Sequence, residues 1–456
     1  MSDEQELYHA ADKMAADYLA HITDRPVFPG PDMVAQLEQL GGALPTQQND
    51  PHAVLDMLSR IGGAATTATN GPNYFGFVIG ALLPIAGAAE RIALAWDQCA
   101  SSHVNSPAMA AIEKTAGQWL LEILDLPRDT AVGFGTSATA CGFSALAAAQ
   151  TYLLRQSGWD LDRSGLRGAP PVRIVVPDTV HVTVKKAIRL LGFGTRDIVT
   201  VQTDDFGRMR PDALPHFDAL TVLCLQAGDV NTGEFDRFSD IIPTAKAAGA
   251  WVHVDGAFGL WARASQDKRS STDGVELADS WTTDGHKTLN TAYDSAVTIC
   301  RHADLLASTM NAEAAYAPSE TDAQKNLTLE FSRRAHGLGF WAVLQTLGRS
   351  GVGSMVDGYC ALATQLAEGC REAGVTVLNR VVFNQVLCQL ADPADTPAFL
   401  KLIEQDNAVW FGPTMWRGQP AFRLSVSSWR TDEDAIRRAL DAIGRALHQL
   451  ECQKNG

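Results

Sequence analysis

Five residues sit just after short β-branched runs and carry groups that could do chemistry. They are His181 after VRIVVPDTV, Asp255 after AWVHV, and Asp284, His286 and Lys287 in the D-G-H-K that follows DSWTT. In an open parallel sheet ligands bind beyond the carboxyl ends of the strands, so these positions share one edge. Upstream, AVGFGTSATACGF reads as a Gly-rich turn opening a helix, where free N–H groups and the helix dipole favour a phosphate, with Ser137 and Thr139 hydroxyls as added donors. An amine, a strand-end carboxylate, an imidazole and a phosphate cradle together suit a phosphorylated pyridine aldehyde. The amine forms the Schiff base, the carboxylate keeps the ring nitrogen protonated, the helix start binds the phosphate, and a stacked imidazole orients the ring.

Each residue also has a plainer reading. An Asp at a strand end is usually a cap or turn residue, and a lone Lys is usually a solvated surface cation. His181 alone could be a core histidine, and Arg423 a structural ion-pair partner. The Gly133-Phe-Gly135 step begins like a dinucleotide-binding turn, but Ala138 stands where its third glycine belongs. A nicotinamide oxidoreductase is the alternative that this motif offers.

The elements that must position these groups are legible. VRIVV (172–176), DIVTVQ (197–202), LTVLCLQ (220–226), AWVHV (250–254), DSWTT (279–283) and SAVTIC (295–300) read as parallel strands, with KKAIRLLG and DIIPTAKAAG as crossover helices between them. Before them, Leu7, Ala11, Met14, Ala15, Tyr18, Leu19 and Ile22 fall at helical spacing, and Pro/Gly punctuation follows to about residue 70, as in an arm that packs on something else. After about 330, SRRAHGLGFWAVLQTLGR and VDGYCALATQLAEGCREAG read as helices, and NQVLCQL, AFRLSVSS and a last amphipathic helix follow. That order suggests a C-terminal α+β unit.

Length and composition narrow the class. At 456 residues and roughly 150 per domain, the chain has room for a large core, and 46% apolar against 20% charged residues is ordinary soluble composition. The formal charge of -15 repels phosphate backbones and anionic lipid, so neither nucleic acid nor a membrane is expected as a partner. The eight cysteines form no C-x-x-C pair, so no zinc ribbon is expected. The acidic start MSDEQELYHAADK lacks the order of a secretory signal, and the longest apolar run, 74–89, is broken by Pro84 and three glycines. The expectation is a cytoplasmic protein.

H-V-D-G-A-F-G (253–259) followed by D-S-W-T-T-D-G-H-K (279–287) resembles the group II pyridoxal-phosphate-dependent decarboxylases, which include aromatic amino acid, tyrosine and glutamate decarboxylases. The resemblance extends in order through P-N-Y-F-G-F (72–77), N-S-P-A (105–108), G-T-S-A-T (135–139), P-D-T-V-H (177–181) and A-F-R-L-S-V-S-S (421–428). It implies a fold-type I α/β enzyme: an N-terminal helical arm at a homodimer interface (1–70), a large pyridoxal-phosphate-binding domain with a mostly parallel sheet (71–330) and a small C-terminal α+β domain (331–456). It implies Lys287 as the Schiff-base lysine, Asp255 on the pyridine nitrogen and His181 on the ring. Ser137, Ala138 and Thr139 fall in the phosphate turn with His286 nearby and Asp284 in support, and Arg423 falls where some members bind the substrate carboxylate. Tyr74, Phe75, Phe77 and His103 are either core or substrate-pocket residues.

The activity implied is loss of the carboxylate from an L-amino acid to give an amine and CO₂. Two departures bear on it. Many members carry a tyrosine on the loop before the stretch matching S-R-R-A-H-G-L-G; here that loop, APSETDAQKNLTLEF (317–331), has none and Tyr316 precedes it. Thr288 follows the lysine where the family commonly has Trp. Related enzymes without the loop tyrosine can form aldehydes. Decarboxylative oxidation, transamination and carbon–carbon lyase chemistry on the same fold are therefore the alternatives, beside a catalytically silent cofactor-binding protein.

Overall fold

The computed structural model describes residues 3–311 and 322–455. Seven strands build the main sheet: β1 (Ala131–Gly135), β2 (Arg173–Pro177), β3 (Ile198–Val201), β4 (Thr221–Gln226), β5 (Trp251–Asp255), β6 (Ser280–Asp284) and β7 (Ala296–Cys300). Their order is β1-β7-β6-β5-β4-β2-β3. Along β4, Leu223 and Leu225 join the core on one face, Val222 and Cys224 the core on the other. A strand covered on both faces reads as an unbroken apolar run, which is why LTVLCLQ is so plain in the sequence.

The structure corrects two expectations here. SAVTIC forms β7, which runs antiparallel to both β6 and β1. Only residues 285–295 separate β6 from β7, too few for the crossover that a parallel neighbour needs, so the chain turns back on itself. That tight return carries His286 and Lys287. The Gly133–Gly135 step is extended strand, paired with Thr298 to Ala296, and no dinucleotide turn. Gly133 is there for space, since a Cβ would lie 2.5 Å from the Leu327 carbonyl oxygen.

Helix starts follow local chemistry. Ser137 caps the helix Ala138–Gln156 by accepting the Ala140 N–H, and Ser106 caps Pro107–Ile123 with proline at its first position. In the C-terminal part, β8 (Thr376–Val377), β9 (Gln385–Gln389), β10 (Gly412–Trp416) and β11 (Gln419–Ser425) form an antiparallel sheet ordered β10-β11-β9-β8. The two helical stretches read from 332 onward are two helices within Leu338–Glu372, separated by a kink at Gly348, whose φ of 59° suits glycine. The helix Asp3–Ala20 buries none of its residues in this chain, and Tyr8 and Leu19 stand exposed. Among the described residues no helix is long and apolar enough to cross a membrane.

Candidate active site

Asp284, the last residue of β6, organises the site. Its Oδ1 accepts the Ala138 N–H at 2.7 Å, at the start of the helix that Ser137 caps, and its Oδ2 holds Lys287 Nζ at 2.9 Å. His286 Nε2 lies 3.7 Å from the same Oδ2. The amine and the helix N-terminus are thus fixed to one buried carboxylate. Lys287 rides on a widely wound turn, Gly285–Leu289, closed by Asn290 in the left-handed conformation.

Asp255 ends the neighbouring strand β5, opposite Thr282 of β6, and accepts the Ala257 N–H at 3.1 Å. Burial pushes its carboxyl upward, while Lys287 and then His181 pull it back down. His181 caps the helix Val182–Leu190, with Nδ1 2.7 Å from Thr183 Oγ1. Burial lowers its pKa, against the nearby Asp255 and with Lys287 and Arg423. These fields put Asp255, Lys287 and Arg423 within electrostatic reach of His181, whose imidazole is held toward its neutral form. A narrow cleft beneath them is lined by Ala138, Thr139, Thr183, His253, Asp255 and Thr282.

Arg423 reaches in from β11. Its Nη1 donates to Val230 O at 2.6 Å and to Gln385 Oε1 at 3.2 Å, and among the described residues no carboxylate pairs with it. Burial lowers its pKa to about 10, with the field of Asp229 opposing.

The aromatic segment divides. Tyr74 stacks on Trp410 with ring centroids 5.0 Å apart, and Phe77, 62% exposed, lies over the same indole at 5.1 Å. Gly76 makes this possible, because a Cβ there would fall 1.9 Å from the Trp410 ring. Phe75 is 0% exposed inside the C-terminal core, its backbone bonded to Trp410 and Ser425, so it is a core residue and not a pocket one. His103 is also displaced: it lines a cavity of about 880 Å³ with Lys114, Thr130, Ala131, Asp304 and Gln324, at the opening end of β1, whereas Ser137 follows its far end. Sequence order could not show which end of β1 the 101–106 loop meets. The start of the 317–331 loop and Tyr316 lie outside the described residues.

Tyr293 was not singled out from the sequence. Its ring stacks on His286 at 4.3 Å, its phenol is held up at about 12 by burial and Asp284, and it acts electrostatically on Tyr74. It lies in the β6–β7 return, whose shape depends on the antiparallel pairing. Thr288, the departure after the lysine, donates its hydroxyl to Phe258 O at 2.9 Å.

The donor set fits pyridoxal phosphate on the structure's own terms. His286 is buried in one cluster with the Lys287 amine and the Asp284 carboxylate, and that carboxylate is bonded to a helix N-terminus of the kind that takes an anion. A mostly parallel seven-stranded sheet with this cluster along one edge, joined to a small antiparallel sheet, is the fold-type I architecture of pyridoxal-phosphate enzymes.

Comparison with known proteins agrees. The family model for the pyridoxal-dependent decarboxylase conserved domain matches residues 36–387. An aromatic-L-amino-acid decarboxylase of Bacillus atrophaeus is 25% identical over 374 residues, 79% of this chain and 75% of that protein. An L-2,4-diaminobutyrate decarboxylase of Rhizobium meliloti is 26% identical over 391 residues, 80% of this chain and 75% of that protein. The crystal structure of Oryza sativa TDC with PLP and tryptamine superposes with a TM-score of 0.90 at 22% identity, covering 99% of this chain and 98% of the other. The chain belongs to the pyridoxal-dependent decarboxylase family. It is a pyridoxal-phosphate-dependent carboxy-lyase acting on an amino acid.

Proposed function

We propose that the protein decarboxylates an L-amino acid to the corresponding amine and CO₂, with Lys287 as the lysine that carries the cofactor. The observation behind this reading is the shared carboxylate: Asp284 holds Lys287 Nζ at 2.9 Å and the Ala138 N–H at 2.7 Å, which ties an amine to an anion-binding helix start. Ser137, Ala138, Thr139 and His286 would surround the phosphate, Asp255 would face the ring nitrogen and His181 the ring. Bound pyridoxal phosphate supplies an aldehyde for the substrate amine and an electron sink for the bond that breaks.

The protein's part is placement and protonation. A carboxylate at Asp255 favours a protonated ring nitrogen, and the neutral His181 imidazole adds no competing charge. Arg423, charged and without a carboxylate partner among the described residues, would bind the substrate carboxylate and so orient the bond to be cleaved. Once CO₂ leaves, the α-carbon needs a proton, and Lys287 Nζ, 2.9 Å from Asp284 Oδ2, would deliver one.

Phe77, exposed over the buried Tyr74–Trp410 stack, would give a substrate an apolar aromatic contact, which favours an aromatic or apolar side chain over an acidic one. In this reading residues 1–70 wrap a second copy, 71–330 hold the cofactor and 331–456 form the C-terminal domain. The unburied helix Asp3–Ala20, with Ile92, Leu94 and Trp96 exposed on another helix, supports a homodimer. Eight free thiols support a reducing cytoplasm.

The test is a visible spectrum with and without borohydride, then a screen of L-amino acids for CO₂ and amine, with Lys287→Ala as control. An imine band lost in Lys287→Ala, with amine formed, supports the reading. Aldehyde and ammonia in place of amine would move it to decarboxylative oxidation, and no band after cofactor addition would overturn it.

A further inference from the structure

A run of polar groups joins Arg423 to the turn that carries Lys287, through side chains as far as Ser427 Oγ and through the Ser427 carbonyl beyond it. Arg423 Nη1 donates to Gln385 Oε1 at 3.2 Å, and Ser425 Oγ donates to the same oxygen at 2.6 Å. Gln385 Nε2 donates to Asn384 Oδ1 at 3.1 Å, and Asn384 Nδ2 donates to Ser427 Oγ and Val426 O, both at 3.0 Å. Asn290 completes the run: its Nδ2 donates to Ser427 O at 2.8 Å and to Lys287 O at 2.7 Å, while its Oδ1 accepts the Trp429 N–H at 2.8 Å.

All three amides are 0% exposed. A buried amide that lost its partners would cost about 1–3 kcal/mol, so these side chains have little freedom to turn. From the guanidinium the bonds run in one sense through Gln385 and Asn384 to Ser427 Oγ, each polarising the next, and Asn290 donates to the Ser427 carbonyl from the lysine side. The Arg423 end is as specific: neutral oxygens of Val230 and Gln385 hold the cation, where an Asp or Glu would have neutralised it. The lysine end is as tightly fitted. A Cβ on Gly80 would come 2.2 Å from Lys287 O and 2.5 Å from Asn290 Nδ2, and the Gly80 N–H donates to His286 O at 3.3 Å.

Resting on the reading that Arg423 takes the substrate carboxylate and Lys287 carries the cofactor, we propose that Gln385, Asn384 and Asn290 are positioning residues. They keep Arg423 charged but unpaired and lock it to the lysine turn. A carboxylate seated on Arg423 thereby fixes where the α-carbon stands relative to Lys287. None of the three needs to touch the substrate.

The experiment uses full-length holoenzyme and the amino acid turned over best in the screen. Arg423→Lys, Gln385→Glu, Asn384→Ala and Asn290→Asp are compared with the unaltered protein for KM, for kcat, for the pH titration of the visible band, and for propionate binding by calorimetry. Gln385→Glu, which sets an anion on Arg423 at unchanged size, is expected to raise KM and the propionate Kd at least tenfold with the band unmoved. Asn290→Asp keeps the acceptor for Trp429 but loses the donors to Lys287 O and Ser427 O. It is expected to lower kcat at least tenfold and to shift the titration of the band. Asn384→Ala combined with Arg423→Lys is expected to lose less than the product of the single losses. If Arg423→Lys impairs KM while Gln385→Glu leaves KM and Kd within twofold, the positioning role is overturned and the carboxylate reading stands. Unchanged KM and Kd in Arg423→Lys would overturn both. Should Asn384→Ala fail to fold, Gln385→Glu decides the matter.

Discussion

Asp284 Oδ1 accepts the Ala138 N–H at 2.7 Å, a bond that spans 146 positions of sequence and pins a helix N-terminus to the end of β6. The other oxygen of that carboxylate holds Lys287, so one side chain sets the distance between helix start and amine. Asp284→Ala is expected to destabilise the apoprotein by about 1–3 kcal/mol, since it strips the Ala138 N–H and the half-buried Lys287 ammonium of their acceptor. It is also expected to weaken cofactor retention at least tenfold. Asp284→Asn keeps an acceptor for Ala138 and should lose less stability. Denaturant titration and equilibrium dialysis against pyridoxal phosphate measure the two effects separately.

Tyr293 presses its ring on His286 at 4.3 Å and keeps its phenol protonated, at about 12. A stacked aromatic pair contributes about 0.5–1.5 kcal/mol beyond its buried area. Tyr293→Phe retains the stack, and cofactor affinity should stay within about twofold. Tyr293→Ala removes it and frees the imidazole, and affinity should fall by about tenfold. Equal losses in the two variants would shift the contribution from the ring to the hydroxyl.

The strands that hold the site were legible because their side chains are β-branched, apolar and covered on both faces, as in LTVLCLQ and AWVHV. β1 was not: AVGFG has two glycines and little β propensity, and its glycines answer to Leu327 and Cys141, contacts no local pattern encodes. The direction of β7 was missed because it follows from connection length and not from residue type. Asp255, Asp284 and Lys287 were legible as strand-end residues. Asn384, Gln385 and Asn290 were not, since an amide in an apolar stretch announces nothing until its partners, up to 139 positions away, are in place. Phe75 and Phe77 sit two apart, yet one is core and the other exposed. The chain there runs as a short bridge to Trp410 and then turns through positive φ at Phe77 and Val78.

Arg333 and Glu113 form a two-pronged ion pair, 2.7 Å at each prong, with both side chains fully buried. Arg333 also donates to Ala100 O and Phe134 O, so the pair ties the 101–106 loop to β1 just ahead of Ser137. Removing one partner of such a pair leaves a charge with no water to solvate it. Glu113→Gln should therefore cost about 3–5 kcal/mol, far more than breaking the exposed Arg349–Glu122 pair, which is expected to cost below about 1 kcal/mol. Urea unfolding of Glu113→Gln and Glu122→Gln side by side checks the contrast.

His253 lies beside Asp255 on β5, buried, with Nδ1 2.9 Å from Ser280 Oγ, and burial lowers its pKa to about 4. In the unfolded chain a histidine titrates near about 6.5. Between those values the unfolded state binds a proton that the folded state refuses, so the stability this residue supports is complete above about 6.5 and is lost as the pH falls toward 4. The gap corresponds to a loss on the order of 3 kcal/mol. Burial acts in the opposite sense on Asp236, raised to about 7: its protonated form is favoured in the folded state, and its contribution fades as pH rises through the same window. The net profile of the unaltered protein therefore mixes the two, and the comparison that isolates His253 is with His253→Gln, whose amide does not titrate. The stability difference between the two proteins should shrink by about 3 kcal/mol between pH 7 and pH 4 in urea titrations. A difference that stays constant with pH would mean that His253 already takes its proton in the folded state.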